Sequence, residues 1–218
     1  MEVYLIRHAE STNQALDDQD ERVFDPPLTE LGERQAILLA KFFRNGEERV
    51  LYSDRAIDRL FSSPMWRAMQ TTRPLSDALD LVPTVWVDVH EQVQATEVHA
   101  GSRRSTIQAG FPDFQLSEAI TEEGWWNRAS EPRTECMERA IRVAEWLWER
   151  GGADENIAIV SHARFLDSLL KAFLHQLPAD NIWYHHFNTG ISRLGLGGDR
   201  LDIRYLNRVD HLPSTKVS

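Results

Sequence analysis

Cysteine is nearly absent from this chain of 218 residues, in which Cys136 stands alone. A single cysteine cannot form an internal disulfide, which favours a reducing compartment. No apolar run approaches the roughly 18 residues that a membrane-spanning helix needs. The N-terminal residues 1–6 lack the basic segment that begins a signal peptide. We therefore expect a cytoplasmic protein.

Basic residues are also in the minority. Lysine and arginine together number 24, and aspartate and glutamate number 34, so the formal net charge is −10. A chain with this excess of negative charge is a poor general ligand for nucleic acid or anionic membranes. It can still bind an anionic small molecule if its arginines are concentrated in one pocket. The composition, 42% apolar and 27% charged, is that of a folded globular protein.

The common nucleotide and metal motifs are missing. There is no lysine-containing phosphate loop, and a predicted strand follows Gly195-Leu196-Gly197-Gly198 where a dinucleotide fingerprint needs a helix. His90-Glu91 lacks the second histidine of the zinc motif His-Glu-x-x-His. His185-His186 has no suitably spaced third ligand. We predict that the protein uses no metal and no cofactor.

Short apolar runs alternate with amphipathic helical patterns, and this order indicates an α/β protein. The predicted strands are residues 3–6, 59–62, 157–160, 191–196 and 201–206. The last two flank Gly197-Gly198-Asp199, which predicts a hairpin at the edge of the sheet. We predict a three-layer α/β/α sandwich with a mostly parallel central sheet and an antiparallel edge strand.

Four helices are predicted between the strands. Apolar residues at helical spacing occupy residues 31–42, 137–148 and 165–173. Thr29 is expected to cap the first of these helices. Ser63-Pro64 resembles an N-cap followed by proline at the first helical position, which predicts a further helix.

Residues 1–211 are predicted to form a single domain, followed by a loose polar tail at 212–218. Within the domain, residues 88–133 are polar, weakly periodic and interrupted by glycine and proline. We predict that they form an excursion over the sheet, serving as a lid or a substrate-specificity segment. Its Trp125-Trp126 pair either forms an apolar substrate wall or pins the loop to the core. Arg103-Arg104 are either solvated or reach a second anionic group on a substrate.

Three of the predicted strands end in residues that suit phosphate chemistry. The first ends in Arg7-His8, the strand at 157–160 ends in Ser161-His162, and Arg67 follows the strand at 59–62. In parallel α/β sheets the ligand crevice lies at the carboxyl ends of the strands. We therefore expect two imidazoles and two guanidiniums in one crevice, beside helix N-termini that offer free N–H groups.

This set of groups suits a phosphoryl group. Arginine can donate two parallel hydrogen bonds to phosphate oxygens, and histidine can attack phosphorus to form a covalent intermediate. A lone histidine after a strand is more often a capping or packing residue. On the residues alone, packing and catalysis remain about equally good explanations for the pair.

Four blocks of sequence add a resemblance. They are Arg7-His8-Ala9-Glu10-Ser11, residues 28–36, residues 62–71 and Val160-Ser161-His162-Ala163. Together and in this order they resemble the blocks of the histidine phosphatase superfamily, the phosphoglycerate mutase-like proteins. The resemblance spans residues 2–206, and the arginine-histidine pair alone would be a weak signal.

The resemblance implies a role for each matching residue. His8 would be the nucleophile that becomes phosphohistidine. Glu91 is the best match to the family's acid, which protonates the leaving oxygen and then activates water, and Glu97 is the second candidate. The transferring phosphoryl group would be held by Arg7, Arg67 and His162.

The chain departs from the family at several positions. Alanines, Ala9 and Ala163, replace two glycines, and Gln14 stands where the family often has asparagine, with Asn13 beside it. Either amide is therefore a candidate phosphate contact. Arg164, in the first turn of a predicted helix, either faces solvent or contacts a second anionic group. The expected phosphate and substrate contacts are Arg7, Asn13, Gln14, Arg67, His162, Ala163 and Arg164.

We predict a metal-independent phosphohydrolase that acts on small phosphorylated molecules through a phosphohistidine on His8. One alternative is a phosphoglycerate mutase that uses the same residues. Mutases of the family commonly carry a longer basic insertion after the acid, whereas this chain has a single basic pair there, Arg103-Arg104. We therefore favour hydrolysis over the mutase reaction. The other alternative is a non-catalytic module that binds phosphorylated ligands, against which the complete catalytic set argues.

Overall fold

The computed structural model of the chain describes residues 1–47 and 56–218. Its strands are β1 (Glu2–Arg7), β2 (Arg59–Ser62), β3 (Thr84–Val85), β4 (Gln115–Leu116), β5 (Ile157–Ser161), β6 (Ile191–Gly197) and β7 (Arg200–Arg208). They form one sheet in the order β4-β3-β2-β5-β1-β6-β7. The first five strands in this order pair in parallel, whereas β6 is antiparallel to both β1 and β7. The predicted mostly parallel sheet with an antiparallel hairpin at one edge is confirmed.

Helices cover both faces of the sheet. They are α1 (Glu30–Arg44), α2 (Trp66–Leu79), α3 (Arg104–Gly110), α4 (Arg133–Trp148) and α5 (Ala163–Phe173). Side chains of a strand alternate between faces, and in β1 Val3 and Leu5 pack with α4 and α5 while Tyr4 and Ile6 pack with α1 and α2. All four side chains are fully buried. The central strands therefore read as continuous apolar runs, because helices cover them on both sides.

Helix α1 begins as predicted. The Gly32 N–H donates to Thr29 Oγ1 at 2.9 Å, so Thr29 caps the helix. A Cβ atom at Gly32 would lie 2.0 Å from the Glu10 carbonyl oxygen. Glycine is required there because α1 crosses directly over the backbone that follows β1.

Helix α2 does not begin where the sequence predicts. Ser63 and Pro64 precede the helix, and Met65 occupies the N-cap position without a side-chain cap bond. The Ser63 hydroxyl instead accepts a hydrogen bond from the Met65 N–H and contacts His162. The N-terminus of α2 is capped from outside the helix, because the Asp25 carboxylate accepts the Trp66 N–H. This distant cap explains why local sequence placed the helix start too early.

The excursion at 88–133 builds structure of its own. It contributes α3 and the edge strand β4, which pairs with β3. Two-residue strands such as these carry no periodicity, so the sequence does not predict them. The segment is anchored by a buried cluster in which Ile107, Phe111 and Trp125 pack with Met65 and Met69 of the α2 region. Across residues 1–47 and 56–218, no helix is long and apolar enough to span a membrane.

The prediction of a loose tail at 212–218 is wrong. Leu212 is buried, and Ser214–Lys216 forms a 3₁₀ turn. The Gln35 side-chain amide of α1 donates to the Lys216 carbonyl and to the Ser218 hydroxyl. The Asn188 N–H donates to the Ser218 carbonyl at 2.8 Å. Polar side chains and backbone groups hold this segment, and an apolar pattern cannot reveal such contacts.

Candidate active site

The register of the three central strands brings the predicted catalytic residues together. Arg7 lies opposite Ser161 in the β1–β5 pair, and Ser62 lies opposite Val160 in the β2–β5 pair. The residues that follow these strands therefore emerge side by side at one edge of the sheet. The rings of His8 and His162 have centroids 4.9 Å apart. The structure therefore forms the crevice that the sequence predicts at the carboxyl ends of the strands.

His8 is held as a neutral imidazole with a defined tautomer. Its Nδ1 lies 2.6 Å from the Ala9 carbonyl oxygen, which can only accept, so Nδ1 carries the proton. Nε2 accepts a hydrogen bond from Arg67 Nε at 3.2 Å. Burial, together with the charges of Arg67 and Arg7, lowers the pKa of His8 well below its ordinary value. At neutral pH the Nε2 lone pair is therefore available for chemistry.

Two guanidiniums, those of the buried Arg67 and the half-buried Arg7, supply the positive charge of the site. Arg67 lies in the first turn of α2, and Arg7 at the end of β1 donates through Nη1 to the His186 carbonyl. Burial lowers the pKa of Arg7 to about 10, with Glu91 opposing the shift and Arg67 adding to it. Burial also lowers the pKa of Arg67, which Asp25 and Glu91 oppose. Arg7 therefore stays charged at neutral pH.

His162 lies behind His8, fully buried at the N-cap of α5. Its Nε2 contacts Ser63 Oγ at 2.8 Å. Its Nδ1 is buried and has no hydrogen-bond partner in the described part of the chain. Burial and the nearby charge of Arg67 lower the pKa of His162 well below its ordinary value. A neutral ring with one unpaired buried nitrogen is suited to bind a ligand oxygen.

The carboxylate of Glu91 lies at the N-terminus of α5, where it accepts hydrogen bonds from backbone N–H groups of the helix. The N–H of Phe165 donates to Oε1 at 3.1 Å, and that of Arg164 to Oε2 at 3.4 Å. The Gln92 N–H also donates to Oε1 at 2.9 Å. Glu91 borders the same cavity as His8 and Arg7, whereas Glu97 is exposed and is not among the residues that line it.

The cavity in front of His8 has a volume of about 550 Å³. A volume of this size accommodates a small organic molecule. Trp183, 55% exposed, stands at its border. The structure brings most of the predicted site residues to this cavity: Arg7, His8, Asn13, Gln14, Arg67, Glu91, Ala163 and Arg164.

Both candidate amides already have protein partners. Asn13 Nδ2 donates to the Val23 carbonyl at 2.7 Å, and Asn13 Oδ1 accepts the Val23 N–H at 3.1 Å. Gln14 Nε2 donates to Asn188 Oδ1 at 2.9 Å, and Gln14 Oε1 accepts the Ser11 N–H at 3.1 Å. A phosphate contact from either amide requires an exchange of partners, so the choice between them stays a prediction.

Three residues that the sequence did not single out support the site. Asp25 lies 3.4 Å from Arg67 Nη1. Thr71 Oγ1 accepts the Ala9 N–H at 3.0 Å, which ties α2 to the segment that carries His8. Asn188 Nδ2 donates to the His8 carbonyl at 2.9 Å. Thr71 falls inside the third resembling block, but neither a motif nor a periodicity points to Asp25 or Asn188.

The remaining predicted features have structural roles. The Trp125-Trp126 pair is absent from the cavity lining and packs in the cluster that contains Met65 and Met69, so it pins the excursion to the core. Arg104 donates to two loop carbonyls instead of being solvated. The Ser161 hydroxyl donates to the Val89 carbonyl at 2.6 Å. Burial raises the pKa of Cys136 to about 12, consistent with a packing residue.

Comparison with known sequences agrees with the geometry. The family model described as histidine phosphatase superfamily (branch 1) matches residues 3–209. A putative phosphoserine phosphatase 2 from Hydrogenobacter thermophilus is 27% identical over 215 residues, which cover 96% of each chain. A phosphoglycerate mutase-like protein from Arabidopsis thaliana is 25% identical over 209 residues, covering 78% of this chain and 74% of the relative.

Solved structures share the fold. A phosphoserine phosphatase mutant from Entamoeba histolytica, in complex with phosphoserine, superposes with a TM-score of 0.66 at 17% identity, covering 97% of this chain and 99% of that one. A mycobacterial glucosyl-3-phosphoglycerate phosphatase gives a TM-score of 0.59 at 21% identity, covering 95% and 99%. With the family match over nearly the whole chain, and with His8 at the cavity and the buried His162 ring 4.9 Å from it, this chain belongs to the histidine phosphatase superfamily and is a phosphoric monoester hydrolase.

Proposed function

We propose that this phosphohydrolase works through a phosphohistidine on His8. Nε2 attacks phosphorus, a P–N bond forms, and the bond from phosphorus to the leaving oxygen breaks. Water then attacks phosphorus, and the electron pair of the P–N bond returns to Nε2. The observation that carries the proposal is the unprotonated Nε2 beside Arg67, at the wall of the cavity.

The surrounding groups stabilise the charge that builds up on the phosphoryl oxygens. Arg67 is buried and Arg7 is half-buried, so their interaction with an anion is less screened than at the surface. As substrate enters, the Arg67 donor turns from Nε2 to a phosphoryl oxygen, which frees the nucleophile. The His162 Nδ1, left without a protein partner, donates to another oxygen.

Glu91 is proposed as the general acid and base. It gives its proton to the leaving oxygen in the first step and takes a proton from water in the second. Its position at the N-terminus of α5 supports a leaving group near Ala163 and Arg164, which line the same cavity. The relatives named as phosphoserine and glucosyl-3-phosphoglycerate phosphatases support a small phosphorylated metabolite as substrate.

A phosphoglycerate mutase activity of the same residues is the second candidate, supported by the name of the Arabidopsis relative. Against it, Arg103 and Arg104 do not line the cavity. Incubation with an aryl phosphate and with 3-phosphoglycerate separates the candidates. Free phosphate supports the phosphatase, 2-phosphoglycerate the mutase, and a lack of turnover with retained phosphate binding the non-catalytic module.

We propose that the excursion at 88–133 acts as the substrate-specificity segment of a single domain, to which the packed segment 212–218 also belongs. Residues 91–96 and His99 of the excursion line the cavity, and the His99 ring stacks on Phe24 with centroids 4.4 Å apart. A cytoplasmic location is proposed as well, supported by the lone cysteine, Cys136, which is buried.

Chelating agents are expected to leave the activity unchanged. Arg7 and Arg67 already supply the positive charge that a metal ion would bring to the phosphoryl group. Within residues 1–47 and 56–218, no cluster of three histidine, cysteine or acidic side chains is arranged to hold a metal ion. The measurement is aryl phosphate hydrolysis with and without EDTA, with a metal-dependent phosphatase assayed in parallel. Inactivation by EDTA that a divalent ion reverses would contradict the prediction.

Arg164→Ala is expected to raise KM roughly two- to fivefold for substrates that carry a carboxylate or a second phosphate. Arg164 is exposed at the cavity border, and in the described residues its guanidinium has no ion-pair partner. Aryl phosphate has no second charge, so its hydrolysis should barely change. The difference should shrink at high salt, because an exposed charge contact is screened.

The matched control is Arg34→Ala, which removes an exposed arginine of α1 that is not among the cavity-lining residues. It should leave KM unchanged for both substrate classes. An equal effect of Arg164→Ala on the two classes would remove Arg164 from specificity and assign it to the shared phosphate site or to structure.

A further inference from the structure

We propose that Asp25 is a positioning residue for catalysis, which holds the Arg67 guanidinium in the orientation that serves His8 and the phosphoryl group. Asp25 acts through Arg67 and does not touch the reacting atoms. The inference rests on the proposed roles of His8 and Arg67.

The carboxylate of Asp25 joins the start of α2 to the guanidinium. The Trp66 N–H donates to its two oxygens at 2.9 and 3.0 Å. Arg67 Nη1 donates to Oδ1 at 3.4 Å. Because the helix N–H fixes the carboxylate, the carboxylate in turn provides a fixed point for the side chain of the next residue.

Before substrate binds, the guanidinium is held at two points in its plane, and the Asp25 contact remains when the Nε donor turns from His8 to a phosphoryl oxygen. Nη1 contacts Asp25, and Nε donates to His8 Nε2 at 3.2 Å. In the part of the chain that the structure describes, the third nitrogen, Nη2, has no hydrogen-bond partner. It is therefore available to a phosphoryl oxygen, and Arg67 borders the cavity where that oxygen would bind. Loss of the Asp25 contact would leave the guanidinium free to rotate.

The charges of the site also require Asp25. The side chains of Arg67 and Asp25 are only 10% and 12% exposed, so each would be left nearly buried without a counter-charge if the other were lost. Arg67 also lies near Arg7, and the two positive guanidiniums repel each other. Asp25 and Glu91 are the acidic groups that offset this repulsion at Arg67.

The ionisation of Asp25 makes its role depend on pH. Burial raises the pKa of Asp25 to about 6, although Arg67 and the Trp66 N–H both act to lower it. The other charged groups nearby, Arg7 and Glu91, act on Arg67, and His8 beyond it is neutral. The carboxylate is present above pH 6 and is lost as the pH falls through that value, and its hold on Arg67 is lost with it.

The test compares the wild type with Asp25→Asn, which keeps an oxygen for the Trp66 N–H and removes the charge. We expect kcat/KM for an aryl phosphate to fall about 10- to 100-fold at pH 8, the loss that corresponds to one hydrogen bond to a charged group. The ratio of wild type to variant should fall to about 2 to 10 at pH 5, because only about a tenth of the wild-type carboxyl is then ionised. Ionisation of the substrate affects both enzymes equally and cancels in this ratio.

Two further variants complete the experiment. Asp20→Asn removes an exposed carboxylate of the same loop and should leave the ratio at 1 at every pH. Asp25→Glu restores the charge and should recover part of the activity at pH 8. Thermal unfolding of each variant records whether the fold is kept.

The outcomes are distinct. A loss in Asp25→Asn that is constant from pH 5 to 8 indicates a purely structural role and overturns the proposal, as does no loss at all. If Asp25→Asn does not fold, Asp25→Glu decides the question, because its carboxyl is displaced relative to Arg67. If the pH profile of kcat/KM for Asp25→Glu then has the same height and shape as that of the wild type, the proposal is overturned. A wild type that does not hydrolyse aryl phosphates refutes the proposed function, and the role of Asp25 fails with it.

Discussion

His8→Ala is expected to abolish both turnover and covalent labelling by phosphate. The variant removes the nitrogen that forms the P–N bond, and no other group can replace it, because His162 lies behind His8 with its Nε2 against Ser63. Loss of a covalent nucleophile should lower kcat by several orders of magnitude. The measurement is acid-labile phosphate on the protein after a brief incubation with a labelled aryl phosphate, followed by mapping of the labelled histidine.

The fold of His8→Ala is expected to stay intact. Removal of the ring breaks one hydrogen bond between elements, that from Arg67 of α2, whereas Thr71 and Asn188 still hold the segment through the Ala9 N–H and the His8 carbonyl. Thermal unfolding and phosphate binding would show this. His185→Ala, an exposed histidine outside the cavity lining, is the matched control and should retain full labelling. Label found on His162 in the wild type would overturn the assignment of His8.

Glu91→Gln is expected to slow phosphoryl transfer from alkyl phosphates by about 10²–10⁴-fold and transfer from aryl phosphates far less. An alkoxide leaving group needs a proton as its bond to phosphorus breaks, whereas an activated phenoxide leaves as an anion. The amide of glutamine can still accept the Phe165 N–H at the start of α5, so the local structure should be kept. The transfer step is measured as the rate of phosphoenzyme formation in a single turnover, which separates it from hydrolysis.

Glu97→Gln is the control for this experiment. Glu97 is exposed and is not among the cavity-lining residues, so its change should affect neither substrate class. Equal losses for alkyl and aryl phosphates in Glu91→Gln would remove the general-acid role from Glu91. The role would then pass to Glu97 or to a water molecule, and the Glu97→Gln result would distinguish between them.

The sequence alone determined the layered fold and the nucleus of the site. Continuous apolar runs such as Ile157-Ala158-Ile159-Val160 are typical of strands covered on both sides, and parallel pairing places the carboxyl ends of such strands at one edge. Arg7, His8, Arg67 and His162 follow or begin elements at that edge, so their convergence needed no knowledge of side-chain contacts. The resemblance to a family then gave Glu91, which lies outside any regular strand or helix.

Other features were decided only by the tertiary structure. The tautomer of His8 depends on the Ala9 carbonyl, and the orientation of Arg67 depends on Asp25, which is 42 residues away in the chain. The His8 carbonyl is bound by Asn188, 180 residues away. The packing of residues 212–218 and the two-residue strands β3 and β4 were likewise decided by the tertiary structure. Periodicity reports which residues are buried, but a polar contact between distant segments leaves no repeating pattern. Such contacts are set by where loops cross over the packed layers, and this is why the groups that orient the catalytic residues appear only in the folded chain.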